Sequence, residues 1–143
     1  MECEAMKAVI IYFTMGGRTK KTAIAIGDVL SNYEVEYFPM ELKGNFIEKI
    51  KELDLYQNND FSLIEEELNT LDAKDYELII IGMPTYGDQP ANAFNEIVRK
   101  VPNLKDKKTA IYTTARFSGG KALKYMKEKV KSSDGSTARY NKR

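Results

Sequence analysis

Four short runs of apolar residues, at 8–13, 35–40, 78–81 and 109–113, have the length and β-branched content of strands buried on both faces. Between and after them, apolar positions recur with helical spacing over 20–30, 46–53, 63–71, 92–101 and 121–130. Strand–helix alternation of this kind predicts right-handed crossovers and an open parallel sheet with helices on both faces. The stretch from Asn45 to Asp75 is the least regular, with Asn58-Asn59-Asp60 dividing it into two short helices. The sharpest transition comes first. The run ending at Phe13 changes to Thr14-Met15-Gly16-Gly17-Arg18-Thr19, and the helical pattern begins at Lys20. A strand, a tight turn and a helix N-terminus in succession leave backbone N–H groups and the positive end of the helix dipole facing outwards, a setting for an anion. Thr14, Thr19 and Thr22 add hydroxyls, which suits phosphate; an ordinary strand-to-helix turn with a threonine cap is the plainer alternative.

Composition narrows the chemistry. At 143 residues the chain predicts one domain with a full core. No apolar run reaches the roughly 18 residues of a membrane span, and no secretory hydrophobic region opens the chain, so a cytoplasmic protein is expected. Histidine is absent and Cys3 stands alone, which excludes Ser-His-Asp and Cys-His chemistry, an intrachain disulfide and most zinc sites. Any reaction then falls to a cofactor, with no metal and no catalytic side chain expected. The net charge of +1 conceals a polarity. Residues 1–98 hold 8 basic and 18 acidic residues, a net of −10, and residues 99–143 hold 14 and 3, a net of +11. A solvated helix face with a basic tail is the plainer reading of that last third than a nucleic-acid surface, because aromatic residues are not interleaved at regular spacing.

Ligands of an open parallel sheet bind at the carboxyl ends of its strands. Three loops expected there are rich in small and hydroxyl-bearing residues: 14–19, the run Gly82-Met83-Pro84-Thr85-Tyr86-Gly87-Asp88-Gln89-Pro90, and the run Thr113-Thr114-Ala115-Arg116-Phe117-Ser118-Gly119-Gly120. In this order they resemble the flavodoxin family. The first resembles its phosphate loop, T/S-x-T/S-G-x-T; Gly82 to Gly87 resembles the G-x-P-x-Y-G loop beside the flavin ring; the third resembles the loop that closes the other side. The resemblance covers roughly residues 7–131 and implies noncovalent binding of flavin mononucleotide (FMN). It implies that Thr14, Met15, Gly16, Gly17, Arg18 and Thr19 wrap the phosphate and that Pro84, Thr85, Tyr86 and Gly87 line the isoalloxazine ring. Thr113, Thr114, Ala115, Arg116 and Phe117 then border the ring's far side, and Gly119-Gly120 opens the next helix. Tyr86 reads either as a stacking face or as a side chain packed on its own turn, and Phe117 either as a border of the ring or as a plug in the core. The chain also departs from the pattern. Gly16 stands where the family has a hydroxyl, and Arg18, where asparagine is frequent, adds a charge-assisted contact to a phosphate. Arg116 near the pyrimidine end would favour the anionic reduced ring.

A five-stranded member of the family carries another strand and helix after Val130, whereas 131–143 contains no apolar run. The expectation is a domain over 6–131 with strand order 2-1-3-4, no fifth strand or last helix, and a basic, disordered tail over 132–143. The first helix is apolar over a wide arc through Ala23, Ile24, Ala25, Ile26, Val29 and Leu30. Self-association through that helix or through the fourth-strand edge is therefore expected. The resemblance implies an electron-transfer protein serving redox partner proteins. Two alternatives stay open: an FMN-dependent NAD(P)H:quinone or nitro reductase, and a module of the same fold that has lost flavin binding.

Overall fold

The computed structural model describes residues 6–14, 17–41, 45–58, 60–61, 65–86, 89–101, 104, 107–115, 121–132 and 137–139. In chain order the elements are β1 (Met6–Thr14), α1 (Arg18–Val29), β2 (Tyr33–Glu41), α2 (Phe46–Gln57), α3 (Glu65–Thr70), a single 3-10 turn (Ala73–Asp75), β3 (Leu78–Tyr86), β4 (Gln89–Pro90), α4 (Ala93–Lys100), β5 (Lys108–Thr114), α5 (Ala122–Ser132) and β6 (Thr137–Arg139). The sheet order is β2-β1-β3-β5-β6, with β4 attached to β3. Every pairing along that path is parallel, so all the strands deliver the chain to one rim.

β1 lies between β2 and β3 and is buried without a break from Ala8 to Thr14, which is why its sequence is an unbroken apolar run. β2 is an edge strand with Glu34 and Glu36 exposed, charges that discourage a further strand from pairing there. Its Glu36 Oε2 accepts a 2.5 Å hydrogen bond from the Tyr76 hydroxyl just ahead of β3. β3 is longer than its apolar run suggests. Met83 and Pro84 stay in register with Thr113 and Thr114 of β5, and Thr85 and Tyr86 fold back to pair antiparallel with Pro90 and Gln89. What composition presents as a loop is thus held as extended backbone by its neighbours.

The expected order 2-1-3-4 is present as β2-β1-β3-β5, and a short fifth strand extends it. Thr137, Ala138 and Arg139 pair in parallel with Thr109, Ala110 and Ile111. A tail reading based on missing apolar residues overlooks this strand because it is held by backbone pairing. The open edge of β5 offers unpaired N–H and C=O groups, and satisfying them needs no apolar side chain.

The two faces of the sheet are covered unequally. On one, α4 and α5 bring Phe94, Ile97, Met126 and Val130 onto Val9, Ile11, Phe13, Ile79, Ile81 and Ile111. On the other, α1 lies over Ile10, Tyr12, Ile80 and Tyr112, with its own Ala23 buried against them. Beside α1 runs an apolar groove of about 440 Å³ lined by Ala25, Ile26, Val29, Leu30, Leu78, Ile80, Ala110, Ile111 and Tyr112. Val29 is 76% exposed and Ile24 43%, so part of the apolar arc of α1 has no cover among the described residues.

Tyr112 is wholly buried on that face, and its register partner is Gly82. A Cβ at Gly82 would lie 1.9 Å from Tyr112 Cζ, so the ring occupies space that only glycine leaves open. Gly82→Ala is expected to destabilise the fold by about 1–3 kcal/mol, the usual cost of overpacking. The urea midpoint measures it, and in a Tyr112→Ala background that loss is expected to vanish. Alkaline pH supplies a second test. Burial is the main force holding the Tyr112 and Tyr76 hydroxyls above their usual pKa of 10.0, with Glu36 adding to the effect at Tyr76. Near pH 10 the unfolded chain releases these protons while the folded chain retains them, so stability falls as pH rises. The urea midpoint is expected to be steady from about pH 7 to about pH 9 and to fall above about pH 10, less steeply in Tyr112→Phe.

Candidate functional site

The rim at the carboxyl ends of the strands gathers its polar groups through a few specific bonds. Thr14 ends β1 with its side chain buried, and its Oγ1 accepts a hydrogen bond from the Gly17 N–H at 3.0 Å. Gly17 has φ +94°, a left-handed conformation that turns the chain directly into α1 and that a side chain would strain. It is the N-cap of α1 and carries no side chain to satisfy the helix's first N–H groups, and the first turn contains no acidic residue. The helix thus starts with no capping side chain from its N-cap residue. Arg18 and Lys21 extend this positive character at the surface.

Thr19 faces inward and is 2% exposed. Its Oγ1 lies 2.8 Å from Thr114 Oγ1 at the end of β5, a bond that joins the first loop to the third. Its backbone carbonyl accepts a 2.9 Å hydrogen bond from the Tyr112 hydroxyl. Burial raises the pKa of that hydroxyl, which keeps it a donor throughout the physiological range. Two independent bonds therefore fix the first turn of α1 against the end of β5.

The second loop joins by register. Pro84 stands opposite Thr114 and Met83 opposite Thr113. The Ala91 N–H donates to the Pro84 carbonyl at 3.1 Å, closing the β3–β4 turn. Thr85 Oγ1 is buried with no hydrogen-bond partner among the described residues. A buried hydroxyl without a partner is costly, and its natural complement is a polar group of a ligand. Thr113, Thr114 and Ala115 are half-buried at the same rim.

Of the residues read from the sequence as site candidates, the structure thus brings Thr14, Gly17, Arg18, Thr19, Pro84, Thr85, Thr113, Thr114 and Ala115 to one rim. Met15, Gly16, Gly87, Arg116, Phe117 and Gly120 lie outside the described residues, as does the side chain of Tyr86. Sequence reasoning missed Tyr112, which organises the rim from beneath. The available signal was a glycine at the end of an apolar strand, Gly82, which marks a close approach without naming the side chain that approaches. The described residues contain no group of three His, Cys, Asp or Glu able to hold a metal ion. No helix among them is long and apolar enough to cross a membrane.

No protein-family model and no curated relative matches the sequence. The fold, however, is similar to several solved structures. One is a Bacteroides eggerthii protein assigned as a flavoprotein, at 19% identity over 95% of this chain and 86% of that one, with a TM-score of 0.65. Another is a Lactobacillus acidophilus flavoprotein solved in complex with FMN, at 16% identity over 96% of this chain and 93% of that one, with a TM-score of 0.56. A third is the two-electron reduced flavodoxin of Megasphaera elsdenii, at 13% identity over 94% of this chain and 84% of that one, with a TM-score of 0.58. At these identities the likeness is one of architecture, and in architecture the chain is a flavodoxin-like α/β protein.

Proposed function

We propose that the rim binds FMN and that the protein carries electrons between redox partner proteins. The observation that carries the reading is the joint placement, on two loops of one rim, of a helix N-terminus whose cap residue is a glycine and of a buried hydroxyl, Thr85 Oγ1, without a partner among the described residues. The donor set suits the group: hydroxyls and backbone N–H groups for a phosphate, and an extended second loop for the edge of a flat ring.

On this reading Thr14, Met15, Gly16, Gly17, Arg18 and Thr19 hold the phosphate; Pro84, Thr85, Tyr86 and Gly87 line one side of the ring; Thr113, Thr114, Ala115, Arg116, Phe117 and Gly120 border the other. When bound, FMN supplies reversible electron exchange at its ring, which a chain without histidine has no side chain to replace. The protein's own part is to orient and to preorganise. The Tyr112 and Thr114 bonds hold the start of α1 in place before any ligand arrives, so its dipole meets the phosphate without rearrangement. Thr85 gains a partner that it lacks among the described residues.

We further infer that two copies associate through the α1 face. Ile24 and Val29 stand out from the helix beside an apolar groove, so the surface offers a ridge and a hollow and can pair with itself about a two-fold axis.

Titration of the apoprotein with FMN is expected to yield a yellow one-to-one complex with altered flavin fluorescence. Arg18→Ala is expected to weaken FMN binding on the order of tenfold, the scale of one charge-assisted hydrogen bond, and to leave riboflavin binding unchanged. A colourless protein, or riboflavin and FMN bound alike, contradicts the reading. Light scattering is expected to report a dimer at micromolar concentration and a monomer for Val29→Glu, since burying one valine contributes roughly 1.5–3 kcal/mol per side chain. A monomeric parent protein rules out the association.

A further inference from the structure

Charge along the outer face of α1 runs against the helix dipole. α4 shows the usual arrangement, with Glu96 in its first turn and Arg99 and Lys100 in its last. α1 opens with Arg18, Lys20 and Lys21, has no acid in its first turn and no base in its last, and carries Asp28 one position before its end. Each of these placements costs stability in a lone helix. The proposed phosphate accounts for cations at the helix start. It does not account for Asp28, which lies about 15 Å further along the axis than Arg18 at 1.5 Å per residue. Lys21 and Asp28 are both exposed, and neither forms an ion pair with a described residue.

The spacing of the two charges is specific. Lys21 and Asp28 are close to two turns apart, so they stand on one line along the helix. Midway between them are Ile24 and Ala25, both exposed, one on each side of that line. On the Ile24 side, Gly27 lies under the Tyr37 hydroxyl of β2, where a Cβ would come within 2.0 Å of the oxygen. On the Ala25 side lies the groove, which Ala25 and Val29 help to line. Apolar surface therefore flanks the charged line on both sides, with Ile24, Tyr37 and Val29 all exposed. A basic end, an apolar centre and an acidic end complement themselves when turned through a half circle. Rotation about an axis between Ile24 and Ala25 sets Lys21 against Asp28 twice.

We propose that two copies pair through antiparallel α1 helices, with Lys21 of each meeting Asp28 of the other and with Ile24 and Ala25 at the centre. This rests on the association through the α1 face inferred above and gives it an axis and a register; it does not depend on flavin. Residues beside a two-fold axis meet their own copies, so the isoleucines pack together and the short alanines let the helices close to the usual 8–10 Å or so. Parallel helices would instead set Lys21 against Lys21 and Asp28 against Asp28, which like charges oppose. The same axis keeps both grooves on one side of the helix pair, where they face each other. Because α1 begins at the rim, the two rims lie at opposite ends of the dimer, and each stays open to its own ligand.

Charge reversal tests the register. The dimer dissociation constant is measured by light scattering over a dilution series at low salt. Lys21→Asp and Asp28→Lys each turn both contacts repulsive, and each is expected to weaken the dimer by about tenfold. Their combination restores opposite charges across the axis and is expected to return the constant to within about threefold of the parent. Both single changes favour the α1 dipole, so the monomer's melting temperature is expected to hold or rise, which separates lost pairing from lost folding. Disulfide mapping tests the direction in a Cys3→Ser background. Ala25→Cys is expected to cross-link on oxidation, as is a mixture of Lys21→Cys with Asp28→Cys. Arg18→Cys is expected not to, because antiparallel pairing sets its two copies about 20 Å apart along the axis, beyond disulfide reach. A dimer that ignores the single reversals, a double variant that stays weak, or ready cross-linking of Arg18→Cys overturns the antiparallel register while the association itself stands. A monomeric parent overturns both, and a colourless protein bears only on the FMN reading.

Discussion

The rim of this sheet depends on a bond that crosses a strand. Tyr112 rises from β5, lies over the bare backbone of Gly82 in β3, and donates its hydroxyl to the Thr19 carbonyl in the first turn of α1. A helix N-terminus is useful for holding an anion only if its direction is settled, and a glycine-capped start with φ +94° does not settle it alone. The Tyr112 bond sets the height of the first turn over the sheet, and the Thr19–Thr114 hydroxyl pair sets its lateral position. The three loops are then parts of one frame: the first is pinned to the third by side chains, and the second is pinned to the third by register between Pro84 and Thr114.

Much of this was legible in the residues, because buried parallel strands must be apolar on both faces. The runs ending at Phe13 and Ile81 identify the central strands, and the alternation with helical spacing implies the order of the sheet. Ends and edges were less legible. Met83, Pro84, Thr85 and Tyr86 look like turn residues in isolation, yet β5 and β4 hold them extended. Thr137 to Arg139 look like a solvated tail, yet the backbone of β5 pairs with them. In both cases the deciding interaction comes from a distant partner through main-chain groups, which side-chain patterns do not encode. The Gly82–Tyr112 pair was hidden for a related reason. Each residue is visible, but the register that opposes them belongs to the assembled sheet.

The unequal cover of the two faces separates stability from the site. Among the described residues, the side bearing α4 and α5 contains most of the buried apolar ones, whereas α1 covers a smaller cluster on the other. The groove beside α1 lies against the body of the sheet, while the site candidates sit at its carboxyl rim. What fills the groove can therefore change the stability of α1, and through the Thr19 carbonyl the first loop, without touching the loops directly. Tyr112 belongs to both regions. Its ring lines the groove and its hydroxyl supports the rim.

That double membership limits how the site can be built. On the proposed reading the chemistry belongs to the bound cofactor, and the chain's own contribution is geometry and field. Geometry comes from a buried tyrosine and two threonines, groups that stay neutral near pH 7 and hold position across physiological pH. Field comes from helix starts and from the lysines and arginines beside them. On the proposed reading, an affinity that rests on charge weakens as salt screens it, while the neutral hydroxyl bonds keep the rim in place.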